Sequence, residues 1–183
     1  MGEGLHLSHS ERVDLIKATR EALDGAGFID VPIIIGTGAG STRETIQLSK
    51  EAAEAGADYV IVITPGYFAG ALAGNKKALK AFFTEVAEKS PIPVIVYNCE
   101  LISGGRELIW VADNAFLDPG ASAGIDLDSN LIIEIAKESP NTVGVKLTYV
   151  GLSNNTLRLS GLTATTFQVW ERWEADENLC DGF

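Results

Sequence analysis

The chain has 183 residues, 46% hydrophobic and 21% charged, and its 25 acidic side chains outnumber 14 basic ones for a formal net charge of −11. Such a make-up belongs to one soluble domain or a large part of one, and so negative a field repels phosphate backbones and anionic lipid unless a local basic patch exists; the sequence shows none. No apolar run approaches the roughly 20 residues of a membrane helix, and Cys99 and Cys180 form neither a C-x-x-C pair nor a disulfide framework. A nucleic-acid or membrane partner is therefore not expected. Met1 to His6 lacks the basic and apolar regions of a secretory signal, and the expected location is the cytoplasm, with a mitochondrial one open if the true start lies upstream.

Ser8-His9-Ser10-Glu11 has the spacing of a capping box, and Val13, Ile16, Ala22 and Leu23 then recur at helical intervals among charged residues. The pattern predicts a helix over about 9–25, stopped by Gly25 and Gly27. Val31-Pro-Ile-Ile-Ile35 is a continuous branched apolar run and predicts a strand buried on both faces. A second capping box, Ser41 to Glu44, predicts a helix that carries Ile46, Ser49, Ala52 and Ala53 inward and ends near Gly56. Tyr59 to Thr64 is the next strand, and after the loop Gly66 to Gly74 a helix follows with Leu79, Phe82, Phe83 and Val86 on one face. Pro93 to Tyr97 reads as a third strand, Asp128 as the cap of a helix bearing Leu131, Ile132 and Ile135, and Thr142 to Leu147 as a fourth strand. Strict alternation of strand and helix implies a parallel sheet with right-handed crossovers, hence the α/β class.

Two stretches break the rhythm. The third unit is lengthened by Cys99 to Asp118, a long insertion that is either a functional lid or foreign material, and from Tyr149 to Phe183 no clear period remains. The expected organisation is a domain over 1–148 with an atypical insertion at 99–118, followed by an irregular tail over 149–183.

Gly36-x-Gly38-x-Gly40 lies between a strand and a helix, as in a dinucleotide site. Such a site also wants an acid at the carboxyl end of the next strand, which here reads Ile63-Thr64-Pro65, so a tight turn is the preferred reading. His6 and His9 stand at i, i+3 without a third histidine, and a metal site is not expected. Lys146 interrupts the apolar strand Val143 to Leu147. Burial disfavours an ammonium, so such a lysine would lose its proton more readily and offer a free amine to a ketone carbonyl; the alternative is a strand-end lysine whose head reaches solvent. Tyr97 closes the third strand and could shuttle protons, or simply plug the sheet rim, and Tyr67 follows the second strand. All three stand at carboxyl strand ends, where parallel sheets place their sites.

Gly36-Thr-Gly-Ala-Gly-Ser-Thr-Arg-Glu44, Thr64-Pro-Gly-Tyr67, Pro91-Ile-Pro-Val-Ile-Val-Tyr-Asn98 and Val143-Gly-Val-Lys-Leu-Thr148 occur in this order. In this combination the sequence resembles the dihydrodipicolinate synthase and N-acetylneuraminate lyase family of class I aldolases, closest to the 4-hydroxy-2-oxoglutarate and fungal 2-keto-3-deoxy-sugar-acid aldolase branch. The resemblance implies a (β/α)8 TIM barrel, here partial with about four complete strands. It also implies a Schiff base between Lys146 and a pyruvate-derived 2-keto acid, with neither metal nor organic cofactor. By the same resemblance Tyr97 is the general acid/base, Tyr67 the relay phenol supplied across a subunit contact in a homo-oligomer, and Gly2 and Glu3 the remnant of the loop that holds the substrate carboxylate. The sequence departs from the family before that loop, at 99–118 and after Thr148, as though truncated at both ends. The alternative expectation is therefore a catalytically inactive fragment, an interaction module or a mis-predicted gene product.

Overall fold

Among the described residues the four longer helices each begin where a short polar side chain, Ser8, Ser41, Asn75 or Asp128, accepts from an N–H of the first turn. In the computed structural model, which describes residues 4–67, 69–72, 74–99, 125–148, 159, 162 and 167–171, a short 3-10 turn at Gly4–His6 precedes α1 (His9–Gly25). There Ser8 accepts from the Glu11 N–H and the Glu11 carboxylate accepts from the Ser8 N–H, the full reciprocal box. The helix closes with a Schellman motif: Phe28 N–H reaches the Leu23 carbonyl at 2.8 Å and Gly27, with φ 83°, supplies the left-handed residue this closure needs. α2 (Thr42–Glu54) is capped by Ser41 and ends the same way at Gly56, φ 103°. Only half of the second predicted box forms. Glu44 turns its carboxylate away from Ser41 to the Nε2 of His9, 2.8 Å distant, while Glu51 takes Nδ1 at 2.7 Å.

With both ring nitrogens facing carboxylates, His9 is engaged between helices rather than paired with His6, and its pKa is raised above 6.5, first by the hydrogen bond to Glu44 and then by that to Glu51. Both N–H groups can donate only in the imidazolium. The α1–α2 tether is thus complete below about pH 6.5 and is lost as the pH rises through the raised value. Thermal unfolding of the wild type and of His9→Gln should differ most near pH 5.5, with the wild type the more stable and the gap closing toward pH 9; a gap that widens with pH would contradict this.

The strands are β1 (Ile34–Gly36), β2 (Tyr59–Ile63), β3 (Val94–Cys99), β4 (Thr142–Thr148) and β5 (Gln168–Glu171). All adjacent pairs are parallel and the spatial order is the chain order, β1-β2-β3-β4-β5. A doubly wound sheet would reverse direction at a switch point; this one does not, so right-handed crossovers put every helix on the same face and leave the other as the inner wall of a barrel. The fold is a segment of a (β/α)8 barrel.

Alternation along the strands assigns the two faces. Val60, Val62, Val94, Val96 and Val145 are fully buried against Ile46 of α2, Leu79, Phe83 and Val86 of α4 (Lys76–Lys89), and Ile132 and Ile135 of α5 (Ser129–Glu138). Each such side chain contributes about 1.5–3 kcal/mol of transfer free energy, which makes the helix-facing layer the core. Lys80 bridges α4 to α5 through Glu134 and Glu138. Between β2 and α4 lies the short helix α3 (Ala69–Leu72), within the stretch expected to be a loop.

Two expectations need correction. The strand predicted over 31–35 is shorter and shifted, and it is not buried on both faces: Ile34 is 46% exposed and Val31 44%. β1 is an edge of the described sheet, and Pro32 offers no N–H to a ladder. Its lead-in is held instead by Asp58, which accepts from the Ile33 N–H at 2.8 Å while paired with Arg20. The predicted irregular tail contains β5, paired through Val145–Val169 and Lys146–Trp170, with Leu159 and Phe167 buried in the core. Glu100 to Gly124, a stretch that holds all of the insertion predicted at 99–118 except Cys99, lies outside the described residues.

Candidate active site

Parallel strands of this kind bring their carboxyl ends to one rim, and there the register fixes which side chains meet. Ile63 of β2 is level with Tyr97 of β3, Tyr97 with Lys146 of β4, and Lys146 with Trp170 of β5. Register partners in a parallel pair project to the same side, so these four form one layer of the inner face. The layer below is Gly36, Ile61, Ile95, Gly144 and Gln168.

Within the upper layer the Lys146 amine stands 4.4 Å from the centroid of the Tyr97 ring. Tyr97 is 5% exposed, whereas Lys146 is half-buried. The lysine is thus less enclosed than its apolar strand suggests, because it occupies the inner face and not the helix-packed one. The electron-rich ring face attracts a cation at that position, and it would do the same for the protonated imine that an amine makes with a ketone.

Beneath Tyr97 in chain order is a residue whose role the sequence did not reveal. Asn98 is buried on the helix side; its amide donates to Asp126 Oδ1 at 2.8 Å and to the Leu127 carbonyl at 3.1 Å, and its oxygen accepts from the Leu127 N–H at 3.0 Å. It therefore ties the end of β3 to the segment that enters α5, where Asp128 accepts from the Leu131 N–H as predicted. Asn98→Ala would leave the buried Leu127 groups unpaired, at a cost of about 2–4 kcal/mol. A fall in Tm of about 5–12 °C by calorimetry is the expected result.

The remaining site candidates are distributed unevenly. Tyr67 lies after β2 on the same rim but is 82% exposed, and Gly2 and Glu3 lie outside the described residues. Gly38 is a close-approach position: a Cβ there would meet the Ile63 backbone N at 2.8 Å. The glycine loop thus serves β1–β2 packing, in keeping with a tight turn. Among the described residues no helix is long and apolar enough to cross a membrane.

The dihydrodipicolinate synthetase family model matches residues 1–108. The chain belongs to this family. Among curated members, an L-threo-3-deoxy-hexylosonate aldolase from Aspergillus niger is 44% identical over 90% of the chain and 43% of its own length. The protein named 4-hydroxy-2-oxoglutarate aldolase, mitochondrial, from Emericella nidulans is 42% identical over 89% of the chain and 44% of its own length. Of solved family structures, the prophage protein YagE of Escherichia coli K12 in complex with pyruvate matches with a TM-score of 0.69 at 27% identity, covering 93% of the chain and 48% of that structure. The chain therefore spans about half the length of the family members it matches, and the match reaches the region of β5 that the sequence alone left without a pattern.

Proposed function

We propose that the protein is a class I aldolase of this family, a lyase that acts on pyruvate-derived 2-keto acids, either 4-hydroxy-2-oxoglutarate or a 2-keto-3-deoxy sugar acid. The observation that carries the reading is the amine of Lys146 set against the ring of Tyr97 at the carboxyl rim of a parallel barrel sheet. The Aspergillus and Emericella relatives supply the two substrate classes, and the YagE complex supports pyruvate as the common unit.

In this reading the neutral amine attacks the C2 carbonyl, water leaves the carbinolamine, and a protonated imine joins Lys146 to C2. Removal of the proton from the C4 hydroxyl lets the C3–C4 bond break, its electron pair moving into the imine to give an enamine while an aldehyde departs. The enamine takes a proton at C3, and hydrolysis releases pyruvate and restores the amine. Tyr97 is the proton carrier for the carbinolamine and the C4 oxygen. Tyr67, exposed at the rim, serves as a relay toward a neighbouring subunit of a homo-oligomer, and the backbone of Gly2 and Glu3 holds the substrate carboxylate. The imine is the electron sink, so the scheme requires neither metal nor organic cofactor. The partner is a small keto acid, not nucleic acid or membrane; the mitochondrial relative supports a mitochondrial location beside the cytoplasmic one.

Purified protein should release pyruvate from at least one of the two acids, followed by NADH consumption with lactate dehydrogenase, and the rate should persist in EDTA. Absence of pyruvate from both would overturn the reading as an active lyase. One observation favours a second reading, a family member that binds keto acids without turnover: among the described residues the sheet ends in two unpaired edges, and an open inner face positions substrate poorly. Imine formation without pyruvate release would select it.

A further inference from the structure

On the side of Lys146 away from Tyr97 its strand neighbour is a residue of the tail. Trp170 is the register partner of Lys146 on β5, and its indole leans one layer down over the next strand. A Cβ built on Gly144 would meet indole Cζ3 at 2.4 Å and Cη2 at 3.0 Å. The missing side chain at 144 thus admits both the ring and the Gln168 carbonyl, which a Cβ would meet at 2.5 Å, and the indole lies over the inner face one layer below Lys146. Tyr97 closes the opposite side at 4.4 Å. Trp170 is nonetheless 41% exposed, so part of its ring is left uncovered on a face the core does not use.

We infer that Trp170 is a specificity-determining residue, the wall that limits the bulk a 2-keto acid can carry when its C2 meets Lys146. The inference rests on the aldolase reading. A slot between two aromatic rings accepts the methyl of pyruvate or a narrow 2-keto-3-deoxy chain, and rejects a broad group attached at C3. Discrimination by pocket shape reaches about 10–200-fold per small group, and truncating the wall relaxes it.

The test is covalent trapping with two acids of different bulk, pyruvate and phenylpyruvate. The amine nitrogen bonds C2, water leaves, and borohydride delivers hydride to the imine carbon, leaving a secondary amine whose rate of formation mass spectrometry follows. In Trp170→Ala the pyruvate-to-phenylpyruvate rate ratio should fall at least about tenfold from its wild-type value, with Trp170→Phe intermediate. A loss of packing alone would slow both acids together and leave the ratio unchanged. If Trp170→Ala does not fold, as judged by circular dichroism, Trp170→Phe carries the comparison. An unchanged ratio in a folded variant that still forms the pyruvate adduct overturns the role of Trp170 and leaves the aldolase reading intact. A folded wild type that forms no adduct with either acid overturns both.

Discussion

Lys146→Met is expected to lower pyruvate release by about 10⁴-fold or more, the scale on which loss of a covalent nucleophile is felt, while leaving the fold in place. Methionine keeps an unbranched apolar stem of similar length, so the contact with Tyr97 survives as packing while the amine is lost. Because Lys146 is half-buried on the inner face and makes none of the helix-side core, the change in Tm should stay within about 2–4 °C, which corresponds to about 1 kcal/mol for a domain of this size. Steady-state assay beside calorimetry separates the two outcomes. A variant that retained even a hundredth of wild-type turnover would show that another group performs the chemistry.

Tyr97→Phe comes second in size. The ring, and with it the attraction for the cation above it, is retained; only the phenolic oxygen goes. kcat should fall by about 10²–10⁴-fold, the range assigned to a positioned acid or base, with KM within a few-fold of wild type. The pyruvate imine should still form on Lys146, more slowly, because proton transfer to the carbinolamine would pass to water. Tyr97→Leu removes ring and hydroxyl together and should raise KM as well. Equal kcat in Tyr97→Phe and wild type would reduce Tyr97 to the aromatic plug that its position at the sheet rim also allows.

The helices were legible because their signals are local. Ser8, Ser41 and Asp128 each cap the helix expected of them, and Gly27 and Gly56 end α1 and α2 in the left-handed conformation that few other residues adopt readily. β2, β3 and β4 were legible because strands enclosed by helices on one side and neighbours on both edges read as branched apolar runs. The same reasoning failed for Val31 to Ile35: the run is as apolar as the others, but burial depends on a neighbour on the far side of β1, which no local pattern records. β5 failed for the opposite reason. Gln168-Val-Trp-Glu171 is four residues with polar ends, and its close approach to the adjacent strand requires the missing side chain at Gly144, where a Cβ would meet the Gln168 carbonyl and the Trp170 ring. Lys146 and Tyr97 could be picked out by their chemistry in apolar strands, and their pairing followed once the order of β3 and β4 was known. Asn98 carried no such signal, since a buried amide that organises a loop is recognisable only from its partners. Glu44 shows that even a well-spaced capping box yields to a competing ion pair, here with His9.

The most direct measurement is peptide mapping of the folded protein after incubation with pyruvate and borohydride. One reduced pyruvyl group per chain, carried on the peptide that contains Lys146 and absent from Lys146→Met, is the predicted result. A folded sample in which that peptide remains unmodified, or in which the label falls on another lysine such as Lys76 or Lys80 of α4, would contradict it.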